Sequence, residues 1–266
     1  MKEPALRISV VSYLNSKPFL KGLEQEDVGE VFKVSTDIPS VCAQKLIENQ
    51  ADIGLIPVAM IQHLNEAHII SDFCIAADGK VASVLLVSNV PLPQIQQVIL
   101  DLESRTSVML ARILCKEYWK IAPAFIPQTS QHNFSQPELI EAAVIIGDKA
   151  LEHRSKYPYI YDLAEEWKTF TGLPFVFAAW VSNKIIAPSR IAALNQIFER
   201  GIKEIPAISR QLAERYPYVN VEHYLGQNIR YLLSTQERKG LQLFLEKLKA
   251  YNEATSGSVV TTVDIK

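Results

Sequence analysis

The sequence predicts an α/β fold with two lobes and a ligand cleft between them. Its first part holds three strand-like runs, 7–14, 32–37 and 51–58, and a helical spacing of apolar residues over 39–49 separates the last two. Strand, helix and strand in this order form a βαβ unit, so we expect parallel strands there. A second α/β pass begins near residue 98, and from Pro188 onward apolar spacings of three and four predict only helices.

Two long apolar strands, 80–90 and 175–181, separate the two passes and predict the crossings between lobes. The first lobe would consist of residues 1–88 and 184–266, and the second of residues 89–183. The end of the chain, 256 onward, is polar and β-branched, which predicts a tail. A single doubly wound domain is the structural alternative. In either arrangement we expect the ligand where strand ends and helix N-termini meet.

The composition limits the kinds of partner. The 266 residues carry a formal net charge of −2, so the chain offers no broad basic field for nucleic acid or an anionic membrane. Three widely spaced cysteines predict buried free thiols, and the five histidines show no metal-binding spacing. Since the sequence also has no nucleotide-binding motif, we expect a small-molecule ligand and neither metal nor cofactor. The first residues lack the pattern of a secretory signal and no window suits a membrane span, which predicts a cytoplasmic protein; the oligomeric state is left open.

The most informative local pattern is the run Ser104-Arg105-Thr106-Ser107. It follows a predicted strand and opens an apolar-periodic helix, so hydroxyl groups, backbone N–H groups and the positive end of the helix dipole meet there. Arg105 adds the possibility of a bidentate contact with a carboxylate. The run therefore predicts a site for a small anion. The alternative is an ordinary helix cap with a solvated arginine.

Of four other candidates, three follow predicted strands and one, Ser83, lies inside a predicted strand. Asn15 follows the first strand, and its amide both donates and accepts; a helix cap is the alternative. Ser83 lies within an apolar run, where its hydroxyl needs either a ligand or a backbone partner. Gly147 and Asp148 follow a later strand, where Asp148 would alternatively be an N-cap.

Five motifs resemble, in the same order along the chain, those of the chorismate dehydratase family of the futalosine route to menaquinone. They are Val11-Ser-Tyr-Leu-Asn-Ser-Lys-Pro18, Asp52-Ile-Gly-Leu-Ile-Pro-Val58, Val81-Ala-Ser-Val84, Ser104-Arg-Thr-Ser107 and Ile146-Gly-Asp148. The resemblance implies a type II periplasmic-binding-protein-like fold in a cytoplasmic enzyme. It also implies that chorismate is the substrate and loses water to give 3-[(1-carboxyvinyl)oxy]benzoate.

The resemblance assigns roles to individual residues. Asn15 and Ser83 match the family's active-site asparagine and serine, so they would be catalytic. Substrate would be bound by Ser12, Tyr13, Pro57, Ser104, Arg105, Thr106, Ser107, Gly147 and Asp148. For the run 104–107 the resemblance favours binding over capping alone. Our hypothesis for the base is the enolpyruvyl carboxylate of the substrate itself, with Asp148 as the alternative within the protein.

Two other functions stay open from the sequence. The sister family of 1,4-dihydroxy-6-naphthoate synthases shares the fold, but its first strand leads into a Ser-Pro-Cys-Pro-Asn-type loop. This chain has Ser12-Tyr-Leu-Asn-Ser16 there instead, which favours the dehydratase. The other alternative is a solute-binding protein for a small carboxylate, and the missing secretory pattern counts against it.

Overall fold

The computed structural model describes residues 4–24, 28–101, 103, 105–130, 132–134 and 136–255, and its strands form two sheets. The strands in chain order are Leu6–Val11 (β1), Phe32–Asp37 (β2), Ile53–Pro57 (β3), His68–Ala77 (β4), Val84–Ser88 (β5), Gln97–Leu100 (β6), Ala124–Pro127 (β7), Ala142–Ile146 (β8), Tyr159–Asp162 (β9), Phe175–Ser182 (β10) and Arg230–Leu232 (β11).

Helices cover the sheets and connect the strands. The α-helices are Lys17–Leu23 (α1), Pro39–Ile47 (α2), Arg105–Ile113 (α3), Gly147–His153 (α4), Leu163–Thr171 (α5), Pro188–Lys203 (α6), Ile205–Leu212 (α7), Val221–His223 (α8) and Thr235–Thr255 (α9). Short 3-10 turns at Leu14–Ser16 and Val58–His63 follow β1 and β3, and a wider helical turn, Tyr224–Asn228, continues α8.

The first sheet has the strand order β11-β4-β10-β3-β1-β2. β1 is parallel to both β2 and β3, which confirms the predicted βαβ unit. β10 runs antiparallel between β3 and β4. Because β1 and β3 are parallel, their carboxyl ends lie at one edge of the sheet. β3 leads directly into a 3-10 turn, and β1 reaches one after residues 12 and 13.

The second sheet has the strand order β7-β6-β8-β5-β9. β6 is parallel to β7 and β8, and β5 is antiparallel to β8 and β9. We call the first sheet with its helices the first lobe, and the second sheet with α3, α4 and α5 the second lobe. The carboxyl ends of β6 and β8 lead into α3 and α4.

The chain passes between the two sheets at 78–83 and at 172–174. β5 is hydrogen-bonded within the second sheet and β10 within the first. The expected ranges, 1–88 with 184–266 and 89–183, therefore put both strands with the wrong sheet. Each strand is an almost continuous apolar run, and a strand buried on both faces has no alternation that would identify its neighbours.

The region after Pro188 is not purely helical, because β11 interrupts it. This strand has three residues and pairs antiparallel with β4 at the edge of the first sheet. So short an edge strand offers too little period-two pattern to be recognised in the sequence. The expected tail from 256 onward lies outside the described residues.

Aromatic side chains form the core of the first lobe. Trp180 of β10 stacks on Phe198 of α6, with ring centroids 4.3 Å apart, and Phe19 of α1 contacts both rings at 5.5 and 4.8 Å. All three side chains are fully buried, and burial of a large apolar side chain stabilises a fold by roughly 1.5–3 kcal/mol. This packing fixes α1 and, with it, the turn that carries Asn15. The three cysteines are buried free thiols, as expected.

Candidate functional site

A cavity lies between the two lobes at the carboxyl ends of β1 and β3. Counted with the solvent space at its mouth, it encloses about 560 Å³ that no protein atom fills. Both lobes contribute to the wall, whose described residues are Val11, Tyr13, Asn15, Pro39, Leu55, Pro57, Ile75, Val81, Ser83, Val84, Ser107, Ile146, Gly147, Phe177 and Ala178. The expected site residues found there are Tyr13, Asn15, Pro57, Ser83, Ser107 and Gly147.

The described wall is apolar and uncharged, and two helices begin at it. Pro39 is the first residue of α2, and Ser107 lies in the first turn of α3. The first backbone N–H groups of a helix have no partner within the helix, and the dipole makes that end positive. The cavity therefore combines a surface suited to an apolar ring with helix ends suited to its anionic groups.

Asn15 and Ser83 meet at a buried tyrosine. The Tyr224 hydroxyl donates to Ser83 Oγ at 2.8 Å, and the Asn15 side chain acts on the same phenol by lowering its pKa. Burial raises the pKa of Tyr224 well above its usual value. Tyr231 donates to the backbone oxygen of Asn15 at 2.9 Å, which fixes the residue from its other side. Residues from two lobes are thereby held next to each other.

Neither the helix-cap alternative for Asn15 nor the backbone-partner alternative for Ser83 holds. The N-caps of the Leu14–Ser16 turn and of α1 are Tyr13 and Ser16, so Asn15 is not a helix cap. The Ser83 hydroxyl is paired with the side chain of Tyr224 rather than with the backbone. Both side chains are therefore available to the cavity that they line.

A strained loop carries Ser83. Ala82 has a φ of 65°, in the left-handed region that residues with a Cβ rarely adopt. The carboxylate of Asp162 accepts from the N–H groups of Val81 at 3.2 Å and Ala82 at 2.6 Å. Burial raises the pKa of this carboxyl, although its hydrogen bonds with backbone N–H groups act in the opposite direction. Asp162 therefore holds the loop in a conformation that it would not adopt by itself.

Tyr13 connects the wall to a charged cluster behind it. Its hydroxyl donates to Glu103 Oε2 at 2.7 Å, and Lys149 Nζ donates to Glu103 Oε1 at 3.2 Å. Burial raises the pKa of Tyr13 well above its usual value, and the Glu103 carboxylate raises it further. Lys149 also lies 3.6 Å from Oδ2 of Asp101, a fully buried carboxyl whose pKa is raised by burial. This cluster orients the Tyr13 ring across the cavity.

Gly147 and Asp148 have different roles in the structure. Gly147 has a φ of 60°, and a Cβ there would lie 3.3 Å from the Tyr13 ring, so both its backbone and its surroundings favour glycine. Asp148 accepts from the Leu14 N–H and from the Tyr216 hydroxyl, both at 3.1 Å. It does not cap α4, whose N-cap is Ile146, so that alternative is wrong. Asp148 instead ties α4 to the first lobe.

Besides Asp148, four expected binding residues are not part of the described wall. Thr106 is fully buried, and its Oγ1 accepts from the Ala59 N–H at 3.1 Å, across the two lobes. Ser12 and Arg105 have exposed side chains. Ser104 lies outside the described residues. Their part in substrate binding stays a prediction.

Sequence reasoning missed Tyr224, Tyr216, Glu103 and Asp162. Both tyrosines lie in the mainly helical part of the chain, where an aromatic residue usually indicates core, and their partners are far away in sequence. Asp162 did have a signal, because a capping residue three positions before a glutamate, here Glu165, is typical of a helix start.

Within the described ranges, no three His, Cys, Asp or Glu side chains come together in a way suited to a metal ion. No helix in the same ranges has the length and apolar character needed to cross a bilayer.

The sequence is similar to curated enzymes over most of its length. It is 27% identical to the chorismate dehydratase of Thermus thermophilus over 242 residues, which cover 82% of this chain and 88% of that protein. It is 26% identical to the chorismate dehydratase of Campylobacter jejuni over 255 residues, covering 92% of this chain and 98% of that protein.

Solved structures with low sequence identity share the fold. A protein of Archaeoglobus fulgidus superposes with a TM-score of 0.75 at 10% identity, covering 93% of this chain and 98% of that one. The periplasmic aliphatic sulphonate binding protein of Escherichia coli superposes with a TM-score of 0.65 at 13% identity, covering 99% and 95%. These likenesses confirm the expected two-lobed, type II periplasmic-binding-protein-like α/β fold.

A profile of proteins of menaquinone biosynthesis matches residues 6–250. The matched range includes every strand of both sheets and every described residue of the cavity wall. On sequence match, fold and cavity together, the chain belongs to the menaquinone biosynthesis family.

Proposed function

We propose that this chain is a chorismate dehydratase that removes water from chorismate to give 3-[(1-carboxyvinyl)oxy]benzoate on the futalosine route to menaquinone. The observation that supports this most strongly is the meeting of Asn15 and Ser83 at one apolar cavity between the lobes. Relatives named for this activity cover nearly the whole chain. The family resemblance also supports a cytoplasmic location.

The reaction needs orientation more than strong acid or base chemistry. Chorismate has two carboxylates and a hydroxyl on a cyclohexadiene ring. Loss of the hydroxyl, together with the proton on the carbon that bears the enolpyruvyl ether, makes the ring aromatic and releases one water. Because aromatisation drives the reaction, an enzyme contributes by holding the reacting groups in line and by stabilising the charge that develops.

The cavity offers a matching partner for each part of this substrate. The ring would lie among apolar side chains such as Leu55, Ile75 and Phe177. The ring carboxylate would face the first turn of α3 at Ser107. The enolpyruvyl carboxylate would be oriented by Asn15 and Ser83, and it would take the proton from the ring.

Asp148 fits a positioning role better than the role of base. Both of its oxygens already accept hydrogen bonds, from the Leu14 N–H and from the Tyr216 hydroxyl. It is also not among the described residues of the cavity wall. We therefore assign the proton transfer to the substrate's own carboxylate and assign Asp148 to holding the lobes together.

The test is turnover by the purified chain. Incubated with chorismate alone, it should form an aromatic product that is lighter by one water, detected by absorbance and mass spectrometry. Ser83→Ala should slow this reaction, and a chelator should leave it unchanged. Chorismate that binds without being converted would indicate a solute-binding protein. Absence of both binding and turnover would indicate a different substrate, such as that of the naphthoate synthases.

A further inference from the structure

Tyr224 is the common neighbour of the two residues on which the proposed function depends. Its side chain is 1% exposed, and it lies at the start of the turn that follows α8. Its hydroxyl lies 2.8 Å from Ser83 Oγ, in the passage between the lobes, and the Asn15 side chain lowers the pKa of the same phenol. Its ring fills space in the core, and a phenylalanine ring would do this equally well. Packing therefore does not explain the hydroxyl group.

The direction of the hydrogen bonds follows from acidity. A phenol is a stronger donor than an alcohol, so Tyr224 donates its proton and Ser83 Oγ accepts it. With its oxygen already accepting from Tyr224, the Ser83 hydroxyl has its own proton left to donate. Ser83 lines the cavity, so the direction open to that proton is toward a ligand.

We propose that Tyr224 is a positioning residue that turns the Ser83 O–H toward the substrate. The proposal rests on the proposed function for the identity of that substrate. The contact joins the Tyr224 hydroxyl of the first lobe to the Ser83 hydroxyl in the passage between the lobes. Without the phenolic oxygen, the Ser83 hydroxyl would lose this partner and would have to find another orientation.

The first test is Tyr224→Phe, which keeps the ring and removes only the hydroxyl. We expect kcat on chorismate to fall roughly 10- to 100-fold, with KM changed by less than about threefold, because orientation is lost while the apolar wall is kept. Tyr161→Phe is the matched control. Its hydroxyl also accepts a structural hydrogen bond, from the Leu92 N–H at 3.1 Å, but it is not part of the described wall. It should lose similar stability and keep kcat.

The second test separates positioning from a general structural effect. If Tyr224 acts through Ser83, then Tyr224→Phe should cost little further activity in a Ser83→Ala background. Losses that multiply in the double variant would show that Tyr224 acts independently of Ser83 and would overturn the proposal, as would an unchanged kcat in the single variant.

A crystal structure of the Tyr224→Phe chain provides a readout that does not depend on turnover. Reorientation of Ser83 Oγ supports the proposal, even if the wild-type chain turns out not to convert chorismate. An unchanged position of Ser83 Oγ contradicts it. Failure of the proposed function and failure of this inference therefore give different results.

Discussion

At the scale of single residues, Asn15 is placed by two sets of contacts. The packing of α1 fixes its turn, and Tyr231 donates to its backbone oxygen at 2.9 Å. A residue held in this way can present its side-chain amide to a substrate with little loss of entropy on binding. Such a residue should matter more for the rate than for the stability of the fold.

We expect Asn15→Ala to lower kcat roughly 100-fold or more, since a preorganised donor acts mainly in the transition state. KM and melting temperature should change far less. Asn183→Ala is the matched control, because its amide donates to the backbone oxygens of Leu46 and Ala51 but is not part of the described wall. A destabilised Asn15→Ala enzyme with near-normal kcat would remove Asn15 from the mechanism.

Individual residues also mark the limit of prediction from sequence. Asn15 and Ser83 could be predicted because each lies in a short motif beside a strand. Tyr224 could not, since its partners are 141 positions away at Ser83 and further still at Asn15. Thr106 shows a different limit, because the sequence identified the residue but not its partner. Its position at a helix start was evident, but whether its hydroxyl faces a ligand or the Ala59 N–H depends on how the lobes pack.

At the scale of elements, the loop before β5 depends on the start of α5. Asp162 caps α5 through the N–H groups of Ala164 and Glu165 and also holds those of Val81 and Ala82. One carboxylate thus fixes both a helix end and the strained residue next to Ser83. Loss of this contact should lower both the free energy of unfolding and kcat.

We expect Asp162→Ala to lower the free energy of unfolding by about 2–4 kcal/mol, since it leaves buried N–H groups without a partner. It should also lower kcat, because the loop that carries Ser83 relaxes. Asn89→Ala removes two comparable bonds, to the backbone oxygens of Pro137 and Ile140, and should affect stability alone. Chemical denaturation and turnover assays on the two variants check this. Equal kcat in both would contradict a link between Asp162 and Ser83.

A second buried carboxylate, Asp52, holds β3 in the first lobe. Arg7 donates to it from Nε at 3.1 Å and from its backbone N at 2.8 Å, and Lys184 donates from Nζ at 2.7 Å. Burial alone would raise the pKa of Asp52, but these hydrogen bonds outweigh burial and hold the pKa well below its usual value. These contacts explain why the motif 52–58, which reaches the cavity wall at Pro57, begins with an aspartate.

The sign of the pH dependence follows from that lowered pKa. A carboxyl with a lower pKa in the folded state stabilises the fold above its unfolded pKa of about 3.9, and this contribution is lost as the pH falls through the folded value. Asp52→Asn should therefore lower the melting temperature at pH 7, and the difference from wild type should shrink below about pH 4. A difference that stays constant down to pH 2 would show that the charge of Asp52 does not stabilise the fold.

At the scale of the whole molecule, the two sheets are joined by two chain passages, 78–83 and 172–174. Side-chain contacts also cross between the lobes, from Asp148 to Tyr216 and from Tyr224 to Ser83. The sequence predicted the two-lobed fold correctly, because alternation of strands and helices is a local pattern. It misplaced the passages, because assignment of a buried strand to a sheet depends on long-range pairing.

Because only two chain passages join the two sheets, each lobe can rotate as a rigid body about these passages. We expect closure on binding, so small-angle scattering should give a smaller radius of gyration with a stable product analogue than without it. Acetate at the same ionic strength is the control. Identical scattering curves at saturating analogue would mean that the cavity is already closed in the free chain.

The uncharged wall of the cavity also determines how kcat/KM depends on pH and how substrate binding depends on salt. Among the described residues of the wall, the polar side-chain groups are the hydroxyls of Tyr13, Ser83 and Ser107 and the amide of Asn15. The pKa of Tyr13 lies well above its usual value. The carboxylates of chorismate are ionised above about pH 5. Neither partner then changes its charge near neutrality, so kcat/KM should be level from about pH 6 to 9 instead of following a bell-shaped curve. Added salt should weaken binding only slightly, because fixed dipoles inside a closed cavity are screened far less than exposed charges.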